Sequence, residues 1–215
     1  RDGEIRRNLT QALLDAGRAE EAEKVCSGAD FGSSVMKRLR AEIAKARGQT
    51  QEAVALYEEL AQEQPSNAAV WNNLGNLYAD LGAPEEGLKA LKRARSLEPH
   101  NPLIPANLGR ILHSLERQDE SRAMFREALR LSPAQPGKLV ELGELLQRLD
   151  EPQLALLAFS GAARAKPRDP QIYVLIGQCF TTMAEIKKAE QAYRTSLHVG
   201  PHFAPAYLNL AILLE

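Results

Sequence analysis

Aromatic residues are scarce in this chain, at 5% of 215 positions, too few for a thick core in which large rings fill the space between layers. Cysteine is scarcer still: Cys26 and Cys179 stand alone with no CxxC spacing, which argues against a disulfide framework or a structural zinc site and points to a reducing, cytoplasmic setting. No run of about 18 apolar residues is present, so no membrane-spanning helix is encoded, and the start RDGEIRRNLTQALL lacks an apolar stretch ending in a small-residue cleavage site. Neither charge is in excess. The 27 Lys and Arg face 28 Asp and Glu for a net charge of −1, and no segment concentrates the basic side chains that a phosphate backbone needs, so nucleic acid is a poor partner.

What the chain does have is a period. Pro65, Pro99, Pro133, Pro167 and Pro201 fall on a 34-residue lattice; with 12 prolines in the chain, four successive coincidences have a chance of roughly one in 100,000. Small residues follow the same spacing at Ala41, Gly75, Gly109, Gly143, Gly177 and Ala211, and again at Ala53, Gly87, Ser121, Ala155 and Ala189. Large apolar residues recur between them as Leu74, Leu108, Leu142, Ile176 and Leu210, and as Tyr57, Leu91, Phe125, Phe159 and Tyr193. Small residues let two helices cross closely, and bulky ones fill the space beside the crossing.

Within residues 68 to 101, Trp71, Leu74, Gly75 and Tyr78 lie at i, i+3, i+4, i+7, one face of a helix. A break at Leu81-Gly82-Ala83-Pro84 precedes a second such face, Gly87, Leu88, Leu91 and Ala94, which Pro99 ends. Proline is tolerated in a first helical turn and resisted inside a helix, so Pro102, Pro136 and Pro170 mark starts of first helices, and Pro84 and Pro152 starts of second helices.

With these residues the chain resembles the tetratricopeptide repeat family, whose pattern is W-x2-L-G-x2-Y, then A-x3-F, then P. The resemblance implies an all-α, right-handed superhelical solenoid of stacked antiparallel helix pairs. Five full repeats are expected at residues 34–67, 68–101, 102–135, 136–169 and 170–203. Residues 1–33 would form a divergent helical repeat carrying Leu9, Leu13, Gly17 and Ala22, and residues 204–215 the first helix of a further repeat. The local departures are Lys37 and Pro105 at the aromatic position, Arg40 for the usual Leu, and Leu60 for a small residue. The Arg start and the half repeat at the end predict a piece of a longer polypeptide, with Leu210, Leu213 and Leu214 exposed where a capping helix or a second copy of the chain would sit.

No catalytic constellation, cofactor site or metal site is expected. In Gly82-Ala83-Pro84-Glu85-Glu86-Gly87-Leu88, Leu88 stands where a phosphate loop needs Lys. His198 and His202 are separated by a terminating Pro201, no nucleophile is fixed beside His113, and Cys179 reads as a small buried hydrophobe. Asn8-Leu9-Thr10 is a formal glycosylation acceptor without a secretory signal to support it.

The family resemblance implies that one side of each first helix lines a concave binding groove. In this sequence those positions are Arg38, Glu42 and Lys45; Asn72, Asn73, Asn76 and Asp80; Asn107, Arg110, His113 and Ser114; Glu141, Glu144, Gln147 and Arg148; Gln171, Gln178, Thr181 and Thr182; and Asn209. An Asn side chain offers a donor and an acceptor, so Asn at one repeat position can bracket successive peptide groups. Asn73, Asn107 and Asn209 share such a position, an arrangement similar to the asparagine ladder in the repeat region of O-linked N-acetylglucosamine transferases, although Glu141 and Leu175 interrupt it. The plainer alternative is that these residues only solvate an exposed helix face. Carboxylate-clamp binding of Hsp70 or Hsp90 tails is disfavoured, because Glu42 or Glu141 would repel the carboxylate held there.

The expectation is therefore a non-catalytic scaffold that binds a protein or peptide segment in the groove. The alternative is the substrate-recruiting arm of a larger glycosyltransferase, sulfotransferase or 2-oxoglutarate oxygenase.

Overall fold

The computed structural model describes residues 2–27, 33–132 and 135–215. The lattice proline Pro133, and residues 28–32 at the end of the expected divergent repeat 1–33, lie outside them. Thirteen α-helices and no strand occur among the described residues, and the chain divides into two compact units, Arg1–Glu116 and Arg117–Glu215.

The first unit holds α1 (Asp2–Asp15), α2 (Ala19–Ser27), α3 (Ser33–Ala46), α4 (Thr50–Glu63), α5 (Ala68–Asp80), α6 (Pro84–Leu97) and α7 (Leu103–Ser114). The second holds α8 (Gln118–Leu131), α9 (Pro136–Arg148), α10 (Pro152–Ala165), α11 (Pro170–Thr182), α12 (Ile186–Val199) and α13 (Ala204–Leu214). Every substantial contact within a unit joins helices one or two places apart in the chain. This all-α array of helix pairs is the fold class expected from the sequence.

The small-residue lattice marks the crossings. A Cβ added at Gly75 would lie 2.7 Å from Leu91 Cγ and 3.0 Å from the Gly87 carbonyl oxygen. At Gly143 and Gly177 it would enter the rings of Phe159 and Tyr193. Those two rings, with Leu91, Phe125 and Tyr57, are almost wholly buried, so each glycine is the gap into which a bulky side chain of the next helix fits.

The turn inside each pair has its own lattice. Gly48, Gly82, Glu116, Asp150 and Ala184 take φ of +75°, +82°, +58°, +55° and +57°. The following amide then reaches back to the last helical turn, as Ala83 N does to the Tyr78 carbonyl at 2.8 Å and Glu185 N to that of Phe180 at 2.8 Å. This is the left-handed helix stop that satisfies otherwise open carbonyls. Between repeats, Asn67 and Asp169 accept the backbone amides of Ala69 and Gln171, capping α5 and α11.

Helix α13 corrects one expectation. Leu210 and Leu213 do not face outward; they pack against a cluster of Val174, Ala189, Tyr193 and Ala206. The exposed apolar side is Tyr207, Leu208, Ile212 and Leu214, because the inward face of α13 follows Ala206, Leu210 and Leu213 at i, i+4, i+7.

Candidate functional site

In the first unit, the outward sides of α3, α5 and α7 bring the expected polar residues together. Asn107 Nδ2 on α7 donates to Asn72 Oδ1 on α5 at 2.9 Å. One turn along, Arg110 Nη2 donates to Asn76 Oδ1 at 3.0 Å, and its guanidinium lies 3.9 Å from Asp80. The two bonds join residues about one repeat apart, so the α5–α7 surface is an ordered polar strip. An amide pair bonded only once keeps an N–H on Asn72 and a carbonyl lone pair on Asn107 for another partner. His113, on the same helix, is half-buried and its Nδ1 is shielded from solvent without a hydrogen bond.

Asn73 behaves differently. Its Nδ2 donates to the Tyr57 hydroxyl at 3.1 Å, beside a cleft that Gln11, Asp15, Glu42 and Lys45 also line. Burial raises the Tyr57 pKa to about 12, and the Glu42 carboxylate pushes it the same way. Glu42 is raised as well, first by burial and then by Asp15, against Arg38 and Lys45, which lower it. Arg38 Nε stands 3.7 Å from one Glu42 oxygen, while Oε2 is buried without a hydrogen-bond partner.

In the second unit the corresponding residues are placed differently. Glu141 and Glu144 are exposed and Gln178 is half-buried; Gln147 Nε2 reaches Cys179 Sγ at 3.6 Å. Burial drives the Cys179 thiol up to about 11, which leaves it protonated and unreactive at neutral pH, as expected for a buried packing residue. Asn209 gives its Nδ2 to the Pro205 carbonyl of its own helix at 2.7 Å. The three asparagines that share a repeat position thus make three different bonds.

Among the described residues no group of three or more His, Cys, Asp or Glu could hold a metal ion, and no helix is long and apolar enough to cross a membrane. Thr10 is fully buried, its hydroxyl given to the Arg6 carbonyl at 2.8 Å.

Sequence reasoning missed the partners of the aromatic position. Trp71 Nε1, Tyr173 Oη and Tyr207 Oη each donate to the carbonyl of the lattice proline six residues earlier, Pro65, Pro167 and Pro201, at 3.0 Å. The fixed spacing of six was the available signal.

Comparison with solved structures finds the same fold. PilF of Pseudomonas aeruginosa is similar with a TM-score of 0.64 and 19% identity, covering 98% of this chain and 97% of that one. The C-terminal part of a TPR repeat-containing protein from Cytophaga hutchinsonii gives 0.68 and 15%, covering 96% and 84%. YrrB, described as a TPR protein with an unusual peptide-binding site, gives 0.53 and 17%, covering 82% and 91%. No curated protein sequence matches. A family profile described as the cilia and flagella-associated protein 70 C-terminal domain, of tetratricopeptide repeat type, matches residues 31–203. With most of its length inside that match, the chain belongs to this tetratricopeptide repeat family.

Proposed function

We propose that the chain is a protein-interaction scaffold, and that the polar strip on α5 and α7 takes up an extended peptide segment of a partner. The observation that carries this reading is the pair of cross-repeat bonds, Asn107 to Asn72 and Arg110 to Asn76. They hold amide groups one repeat apart in fixed orientation, with a donor and an acceptor left for peptide backbone; preordered side chains lose little freedom when a ligand arrives. YrrB, similar in fold, is described as having a peptide-binding site, which adds support.

The test is a quantitative pull-down from native extract with the wild-type chain and with Asn72→Ala/Asn107→Ala/Arg110→Ala, after matching their helicity and melting temperature. Loss of the same partners from the variant is the expected result. Their undiminished retention would sink this reading.

Self-association is a second reading, favoured by the exposed Tyr207, Leu208, Ile212 and Leu214 on α13. Sedimentation velocity should then show a dimer that Leu208→Glu/Ile212→Glu converts to monomer; a monomeric wild-type chain at all concentrations would reject it.

A further inference from the structure

The second unit carries a basic and apolar cleft on the side of its second helices. Helix α10 has no acidic residue between Pro152 and Ala165. Gln153, Leu157, Gly161 and Arg164 follow one another along one side of it at helical spacing. Leu157 is 57% exposed and is the one large hydrophobic residue so exposed in the interior of a second helix, among the described residues. At Gly161 the helix packs closely on α9: a Cβ there would meet Leu139 Cδ1 at 3.2 Å and Arg164 Nη2 at 3.7 Å. Leu139 and Arg164 both line the cleft beside Leu157.

The opposite wall is α8, where Arg126, Leu129 and Arg130 line the same cleft. Arg122, one turn before Arg126, is held by the buried Glu151, with Nε 2.8 Å from Oε1. Arg126, Arg130 and Arg164 have no such carboxylate: among the described residues none of them makes an ion pair, and no acidic side chain lines the cleft. Three positive charges and three leucines thus converge at one place in a chain whose net charge is −1.

We propose that this cleft docks an acidic protein segment bearing one bulky apolar anchor. The arginines supply the charge complementarity that orients such a segment, and the part of the cleft lined by Leu129, Leu139 and Leu157 receives the anchor. Nucleic acid fits less well, because no aromatic ring lines the cleft for base stacking. A membrane surface fits less well too, because Leu157 is the only exposed large apolar residue of the cleft among the described residues, where an interfacial helix presents a whole apolar face.

The test is selection from a phage library of random peptides on the full chain, with counter-selection on Arg126→Glu/Arg130→Glu/Arg164→Glu. Enriched peptides are then measured by fluorescence anisotropy. Net acidic sequences with an apolar residue are expected. Charge reversal should weaken them at least about tenfold, and Leu157→Ser, a change at an exposed site, about threefold to tenfold. The polar-strip variant Asn72→Ala/Asn107→Ala/Arg110→Ala should bind them like wild type. The proposal is overturned if the enriched peptides carry no acidic bias or bind the charge-reversed chain equally well. It is overturned too if no acidic peptide is enriched while phosphatidylserine vesicles or poly(U) bind the chain through these arginines.

Discussion

Trp71 and Pro65 are joined by a hydrogen bond of 3.0 Å from the indole N–H to the proline carbonyl. The bond spans the turn between α4 and α5 and ties the first turn of one helix to the chain leaving the previous one. Tyr173 with Pro167 and Tyr207 with Pro201 repeat it. Where the aromatic position is Lys37, the side chain instead forms an ion pair with Glu59 at 2.7 Å, and Pro105 has no donor to offer. Trp71→Phe keeps a ring and removes the donor, so urea unfolding should show a loss of about 1 kcal/mol. Tyr173→Phe, a purer deletion, should lose about as much.

The positive-φ lattice predicts where stability can be gained. Glu116, Asp150 and Ala184 hold a left-handed conformation that glycine already supplies at Gly48 and Gly82. A side chain with a Cβ is strained there by about 1 kcal/mol. Ala184→Gly should therefore raise the melting temperature, whereas Gly82→Ala should lower it.

Crowding at the crossings penalises a Cβ for a different reason. Gly177→Ala would put a methyl group into the buried Tyr193 ring, and the expected loss is about 1–3 kcal/mol by thermal or denaturant unfolding. Ala41 already occupies the corresponding lattice position opposite Tyr57, so α3 and α4 accommodate a Cβ. Ala41→Gly should accordingly bring little or no gain.

Arg122 and Glu151 should respond unequally. Glu151 is 5% exposed at its side chain and Arg122 45%. Arg122→Ala strands a buried carboxylate and should cost about 3 kcal/mol. Glu151→Gln leaves a half-exposed guanidinium that water can solvate, and should cost about 1 kcal/mol. Equal losses in the two variants would contradict a burial penalty carried by the glutamate.

Glu42 predicts a pH dependence. Its carboxyl is raised mainly by burial, so the folded chain binds this proton more tightly than the unfolded chain does. The resulting contribution is fully present below the ordinary carboxylate range and is lost as pH rises through the raised value. Glu42→Gln, neutral throughout, should melt above wild type at pH 7, with the difference closing toward about pH 4.

The helix pairs were legible because the lattice of Pro, Gly and Ala is steric: too large a residue at Gly75 or Gly177 would clash, and proline inside a helix would break it. The left-handed turn was legible at Gly17, Gly48 and Gly82 but not at Glu116, Asp150 and Ala184, which carry the same conformation without the glycine that announces it. The polar face was legible in composition but not in its bonding. Whether an asparagine reaches a neighbour, as Asn107 does, or its own helix, as Asn209 does, depends on side-chain rotamers and neighbours that repeat spacing does not encode. The inward turn of Leu210 and Leu213 had the same origin: the rotation of α13 is set by contact with α11 and α12. The arginine cleft escaped notice because its walls come from α8 and α10, far apart in sequence, while a count of charges along the chain stays near zero.

Contacts confined to helices one or two places apart also set the order in which the chain can fold. No substantial native contact within a unit waits for distant residues to meet, so the loops closed are short and their entropy cost rises only slowly with length. Such low contact order is the signature of fast folding. A helix pair in the middle of a unit can form first, and its neighbours can then add to either side one helix at a time.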